Sequence, residues 1–199
     1  DAIGMINSVT QEFMIRPMGV FQLIDYVGIE VCRAIMKVMS ENSGGEKLNC
    51  PLLDRFLAQD IRGGQRADGS QKDGIFKYEK NAIVGQYNLQ TQSYESYGSD
   101  QREKVQQKLG ELPAGHAPWK SLVNHPQRIE LLSHYFGSLQ KANNLGSKTA
   151  WTYLQKSKKI GEMLLHSGVA KSADDVNTVL TQGFFHLYGP ILSAINSEE

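Results

Sequence analysis

The chain has 199 residues, 40% of them hydrophobic, and its 21 basic and 21 acidic side chains cancel to no formal net charge. That length suits one domain or two small ones, and the neutral charge excludes a broad electrostatic surface for nucleic acid or an anionic membrane. No apolar stretch approaches the ~20 residues that span a bilayer. Two cysteines, Cys32 and Cys50, are too few for a disulfide framework, which favours a reducing, cytoplasmic compartment.

Helical periodicity dominates the first sixty residues. We predict helices over residues 2–15, 19–26, 29–39 and 51–61. The first ends at Arg16-Pro17, because the residue before a proline avoids the helical region. The third is apolar on so many sides, Cys32 included, that we expect protein around it, and Ser43-Gly44-Gly45 ends it.

The middle of the chain is polar and rich in glycine and tyrosine. Residues 62–74 are predicted to form a loop, and residues 75–78 a short extended segment or turn. Residues 81–98 contain polar side chains and several tyrosines, which indicates a connector on the surface.

The second half is again helical in pattern. We predict helices over residues 100–110, 125–143, 147–166 and 172–187, with a short one after Gly189-Pro190. Asn124 and Ser147 are candidate helix caps, and Ser172 with Asp175 has the spacing of a capping box. The whole pattern predicts an all-α fold with two long loops.

A weak internal repeat relates the two ends of the chain. Residues 5–19 align without gaps to residues 175–189, so that Asn7 meets Asn177 and Gly19 meets Gly189. In both places a helix runs into a glycine turn. The matching arrangement predicts two copies of one helical unit.

Recognisable catalytic chemistry is missing from the chain. No glycine fingerprint for a dinucleotide lies between a strand and a helix, and no HExxH or CxxC motif for a metal occurs. The five histidines are interpreted as structural or surface residues, because none has an evident catalytic partner; they are His116, His125, His134, His166 and His186. We therefore predict no catalytic, cofactor-binding or metal-binding residue here.

Two stretches are unusual. In residues 16–28, Pro17 and Gly19 make a corner between helices, and Asp25 can cap the helix that follows or line a substrate cleft or dimer contact. In residues 63–78, a polar glycine loop precedes Phe76 and Tyr78, which are interpreted as aromatic anchors of the loop in the core.

Together these stretches resemble the C-terminal domain of 3-hydroxyacyl-CoA dehydrogenases. The segment Pro17-Met18-Gly19-x-Phe21-x-Leu23-x-Asp25-x-x-Gly28 is similar to the family's PMGPFEL-x-D-x-x-G signature, with Val20 where the family usually has proline. The segment Asp68-Gly69 to Gly74-Ile75-Phe76-x-Tyr78 resembles its closing glycine and aromatic motif in variant form. Residues 168–176 resemble a further segment of the family, in agreement with the repeat.

The resemblance implies an all-α bundle of the 6-phosphogluconate dehydrogenase C-terminal-like fold, in two tandem copies. The copies would span residues 1–80, truncated at the start, and 124–199, with a connector at 81–123. The parent enzyme would oxidise 3-hydroxyacyl-CoA with NAD, which binds a nucleotide-binding domain absent from this chain. The chain alone would then be inactive.

Its implied roles are a wall of the acyl-CoA pocket and a homodimer contact. The candidate residues for both are Pro17, Met18, Gly19, Phe21, Leu23, Asp25, Gly28, Phe76 and Tyr78. The alternative is a non-catalytic helical module that binds another protein. A helical nucleic-acid binder is disfavoured, since the chain has no basic helix face.

Overall fold

The structure is a computed structural model that describes residues 2–42, 47–80 and 82–195. Its helices are α1 (Ala2–Ser8), α2 (Val20–Val27), α3 (Ile29–Asn42), α4 (Pro51–Ala58), α5 (Ser99–Leu109), α6 (Trp119–Leu122), α7 (Arg128–Lys141), α8 (Leu145–His166) and α9 (Ala173–Gly183). A π-helical segment, Val9–Phe13, continues α1. The strands are β1 (Phe76–Glu79), β2 (Ala82–Asn88) and β3 (Ser93–Ser96). The described chain is mostly helical, as predicted, but it also contains a small three-stranded sheet that the all-α prediction did not include.

The sheet corrects the prediction of a connector at residues 81–98. The strands β1, β2 and β3 pair antiparallel in that order, and β2 and β3 form a hairpin in which Tyr87 lies opposite Tyr94. The Tyr87 ring packs edge-on against Phe56 of α4, with ring centroids 6.3 Å apart. Tyrosines and β-branched residues favour strands. Ile83, Val84 and Tyr87 of β2 are such residues, and the prediction missed this strand signal.

Helix ends in the second half differ from the predictions. Asn124 is not a cap, since α7 begins at Arg128, and the cap of α8 is Asn144, whose side chain accepts from the Ser147 amide at 2.8 Å. The capping box of α9 is confirmed, with Ser172 and Asp175 each accepting from the other's amide. This helix ends at Gly183, and no helix follows within residues 190–195.

Helix α3 is much more exposed than its sequence predicts. Only Ile29 is buried, while Val31, Ile35 and Val38 are exposed by 50%, 49% and 58%. Cys32 is half-buried rather than enclosed. The predicted end of this helix at Ser43-Gly44-Gly45 lies outside the described residues. The broad apolar stripe is therefore a surface of this chain.

The chain forms two compact units of contacts. The first consists of residues 1–19 and 105–199, and the second of residues 20–104. In the first unit, the π-helical segment and helices α7 and α8 enclose an aromatic core around Phe13, Tyr135, Phe136 and Tyr188. The predicted boundaries at residues 80 and 123 separate copies of a family domain, whereas these two units are defined by contacts. Those boundaries therefore stay predictions. None of the described helices combines the length and the apolar character needed to cross a membrane.

The two aligned corners share a local conformation within the first unit. A Cβ on Gly19 would lie 2.3 Å from the Asn7 side-chain oxygen, and one on Gly189 would lie 2.1 Å from that of Asn177. Ile15 and Phe185, which align with each other, both have a positive φ, of 46° and 54°. Each helix thus ends with a left-handed residue, and each corner glycine packs directly on an asparagine.

Candidate functional site

The two motif stretches meet at one buried carboxylate in the second unit. Asp25 lies in α2 and is 0% exposed. Its Oδ1 accepts from the Ile75 amide at 2.7 Å, and its Oδ2 accepts from the Phe76 amide at 2.8 Å and from the Tyr78 hydroxyl at 2.9 Å. The carboxylate therefore fixes the start of β1 to α2.

Glycines permit this close approach of loop and helix. A Cβ on Gly74 would lie 2.2 Å from Asp25 Oδ1, and one on Gly63 would lie 2.8 Å from the Asp25 carbonyl oxygen. That carbonyl accepts from the Gly64 amide at 2.7 Å and from Gln71 Nε2 at 2.9 Å. No larger residue fits at position 74 while Asp25 stays in place.

The interpretation of Asp25 as the cap of α3 is wrong. Its side chain bonds to Ile75, Phe76 and Tyr78 instead. The turn between α2 and α3 is made by Gly28, which has a φ of 100°, and the Ile29 amide donates to the carbonyl of Arg62 at 2.8 Å. Sequence reasoning placed the carboxylate correctly in a corner but assigned it a local partner, although its partners are about fifty residues away.

Burial dominates the electrostatics of this carboxylate. It raises the pKa of Asp25 to about 6, against the lowering effect of the amides of Phe76 and Ile75 and of the Tyr78 hydroxyl. The nearby charge of Asp73 raises it further. Burial and the charge of Asp25 also raise the pKa of Tyr78 far above the usual range of a phenol. Tyr78 is therefore a hydrogen-bond donor near neutral pH.

The structure assembles part of the candidate set. Asp25, Gly28, Phe76 and Tyr78 lie together in the second unit, with Phe76 fully buried. Phe21 is buried in the same unit and Leu23 is half-buried. Pro17, Met18 and Gly19 belong to the first unit. Their roles as pocket wall or dimer contact stay predictions, and burial of Phe76 agrees with its interpretation as an anchor.

Sequence reasoning missed several residues that complete this cluster. Gln71 binds the Asp25 carbonyl, and the Tyr94 hydroxyl donates to the carbonyl of Gly74 at 2.8 Å. Gly74, directly before the aromatic motif, was a signal in the sequence that another group approaches the backbone closely there. No sequence signal pointed to Tyr94, because it comes from β3, in the segment predicted to be a connector.

A solvent-open groove of about 700 Å³ lies between α3 and α4, apart from this cluster. Its floor contains Met36 and Leu53, and its rim carries Arg33 and Lys37. None of the nine candidate residues lines it. Among the residues that the structure describes, no three His, Cys, Asp or Glu side chains come together as a metal site would require.

Comparison with known protein families finds a similar domain for the segment that contains Asp25. The family model for the 3-hydroxyacyl-CoA dehydrogenase C-terminal domain matches residues 2–73. The resemblance is thereby confirmed for the stretch that contains Pro17, Asp25 and Gly28. It associates this part of the chain with oxidoreductases of the 3-hydroxyacyl-CoA dehydrogenase type.

The rest of the chain is not covered by that match. The resemblance of residues 168–176 lies outside it and stays a prediction, as does the variant aromatic motif at Phe76 and Tyr78. No curated protein and no solved structure matches this chain at a significant level.

Proposed function

We propose that this chain is the helical part of an NAD-dependent dehydrogenase that oxidises 3-hydroxyacyl-CoA to 3-oxoacyl-CoA in fatty acid metabolism. The observation that carries the proposal is the Asp25 carboxylate, which lies in the matched segment and binds the backbone of the second motif at Ile75 and Phe76. NAD and the catalytic groups belong to a nucleotide-binding domain outside these residues. This chain contributes a wall of the acyl-CoA pocket and a homodimer contact.

The helical part consists of two tandem copies of the family domain. Three shared features of the corners support this: the aligned asparagines, the aligned glycines packed on them, and the positive φ of Ile15 and Phe185. A positive φ at a bulky residue is uncommon, so its recurrence at aligned positions argues against coincidence. The second copy lacks the buried carboxylate, because Ile195, fully buried, stands where the alignment would place a counterpart of Asp25.

A single pair of assays tests the dehydrogenase proposal. The protein purified from its source cells is mixed with NAD and a 3-hydroxyacyl-CoA, and NADH is followed by absorbance, beside the 199-residue chain alone. We expect activity from the native protein only, and a native chain longer by one nucleotide-binding domain, about 150–200 residues. A native chain of the present length without activity would overturn the proposal.

The second candidate function is a non-catalytic helical module that binds another protein. The exposed apolar side chains of α3, Val31, Ile35 and Val38, favour it, because contiguous apolar surface marks interaction sites. The native assay separates the two candidates, since an interaction module would produce no NADH at any substrate concentration.

A further inference from the structure

Arg16 is a cation without an acidic partner at the corner of the first unit. None of the ion pairs within residues 2–42, 47–80 and 82–195 includes it. Its guanidinium carbon lies 5.0 Å from the centre of the Tyr153 ring, and its side chain is hydrogen-bonded to Tyr188. The Nε atom is buried and has no hydrogen-bond partner. A buried donor of this kind is costly unless something outside the chain accepts from it.

His186 provides a second unsatisfied nitrogen beside it. Its Nδ1 is buried without a hydrogen-bond partner. Burial, together with the positive charge of Arg16, lowers the pKa of His186 to about 4. The ring is therefore neutral at pH 7 and carries one N–H, which either ring nitrogen can hold. Since the charge of Arg16 acts on the His186 ring, we infer that one missing partner serves both nitrogens.

The backbone around these residues is held in an unfavourable conformation. Arg16 and His186 occupy the same position in the two aligned corners, and each follows a residue of positive φ, Ile15 or Phe185. The Trp119 indole N–H donates to the Phe185 carbonyl at 2.8 Å and keeps that segment in place. Strain of this kind is concentrated at binding and catalytic sites.

We propose that Arg16 and His186 form a binding site for one oxyanion, the carboxylate or phosphate group of a small ligand. A guanidinium binds such groups through charge-assisted hydrogen bonds. The oxyanion accepts from Arg16 Nε, and it selects the tautomer of His186 with its proton on Nδ1. The guanidinium of Arg16 lies over the Tyr153 ring, which orients its N–H groups. The site depends on the first unit alone and does not require the dehydrogenase proposal.

The test is a titration of the 199-residue chain, labelled with ¹⁵N, at constant ionic strength. Sodium phosphate and sodium acetate are added in separate experiments, and the Arg16 Nε–H and His186 ring resonances are followed by NMR. We expect saturable shifts with at least one ion and a dissociation constant of about 1–10 mM, since a bare ion makes few contacts. Saturation by phosphate alone, or by acetate alone, identifies which group the natural ligand presents.

Matched variants separate binding from general charge effects. Arg16→Gln is expected to weaken binding about tenfold or more, because it removes a charge-assisted bond. Arg55→Gln, which removes an exposed arginine of α4 in the other unit, is expected to leave the affinity unchanged. If Arg16→Gln fails to fold by circular dichroism, His186→Gln replaces it, with the same expected direction. Absence of saturable shifts, or equal affinities for all variants, would overturn the proposal.

Discussion

Asp25 illustrates how one side chain can join segments that are distant in sequence. It binds two backbone amides and a tyrosine hydroxyl, all provided by residues 75–78. If the carboxylate is removed, each of the three donors becomes a buried group without a hydrogen-bond partner, which costs stability. Asp25 thus holds the end of the loop between α4 and β1 in its position against α2.

We expect Asp25→Ala to lower the free energy of unfolding by about 2–4 kcal/mol. Each buried donor left without an acceptor costs about 1–3 kcal/mol. Part of this loss is offset, because alanine avoids the cost of burying a carboxylate. Urea denaturation at pH 7 measures the change. Asp68→Ala is the control, because Asp68 is an exposed carboxylate of the same loop whose bonds go to Ser70. Equal losses in both variants would show that the buried carboxylate has no special role.

The same residue predicts a pH dependence. Because the folded pKa of about 6 lies above the ordinary value of 3.8, the stabilisation from Asp25 is complete below pH 4 and falls as the pH rises through 6. Between low and high pH, this contribution to the free energy of unfolding changes by about 3 kcal/mol, because the pKa shift is about two units. Urea denaturation of the wild type and Asp25→Ala at pH 4 and pH 7 isolates it. A difference between the two proteins that grows with pH would mean that the three donors outweigh burial.

At the scale of elements, the corners after α1 and after α9 depend on glycines for steric reasons. Gly19 and Gly189 have no positive φ, yet a Cβ at either would collide with an asparagine. The side chain of Asn177 also binds the backbone carbonyl and amide of Ile191. Its Nδ2 donates to the carbonyl at 3.0 Å, and its Oδ1 accepts from the amide at 2.9 Å. Displacing the asparagine would therefore release the segment after Gly189 as well.

We expect Gly189→Ala and Gly19→Ala each to destabilise the protein by about 3 kcal/mol, as overpacking does in a tight site. Thermal unfolding followed by circular dichroism measures this. Gly137→Ala is the control within α7, where nothing lies within 4 Å of an added Cβ. That variant should stabilise by about 0.5–1 kcal/mol, the usual gain of alanine over glycine in a helix. A tolerated Gly189→Ala would contradict the packing described for the second corner.

The sequence predicted those elements whose causes are local. Helices α2, α4 and α9 followed from apolar spacing, the proline at the start of α4, and the capping box of Ser172 and Asp175. The sheet was missed, because its stability comes from pairing between Tyr87 and Tyr94 and from packing on Phe56, which no short window shows. The partners of Asp25 were missed for the same reason. The motif identified the right residues, and long-range contacts determined what they do.

At the scale of the whole molecule, the exposed apolar faces of α2 and α3 predict a dimer. Tyr26 and Val27 of α2 are exposed, as are Val31, Ile35 and Val38 of α3, and a monomer seldom leaves so much contiguous apolar surface in water. We expect the chain to sediment as a dimer and Ile35→Glu to convert it to a monomer, because a charge cannot be buried there without a partner. Analytical ultracentrifugation measures both.

The control for this prediction is Ile160→Glu. Ile160 is exposed by 56%, but it lies in α8 of the other unit. This variant should remain dimeric. A wild-type chain that sediments as a monomer at tens of micromolar would overturn the dimer. Monomers from both variants would show that the interface is not specific to α2 and α3.

The path of the chain through its two units has a consequence for how the protein folds. All residues of the second unit, 20–104, are contiguous and can make their contacts as soon as they have been synthesised. The first unit joins residues 1–19 to residues 105–199, and the hydroxyls of Tyr135 and Tyr188 bind the carbonyls of Phe13 and Met14. Closing loops of that length is slow. During synthesis, α1 must therefore wait unpaired while most of the chain emerges, and a nascent chain halted near residue 104 would carry a folded second unit behind an unprotected apolar helix.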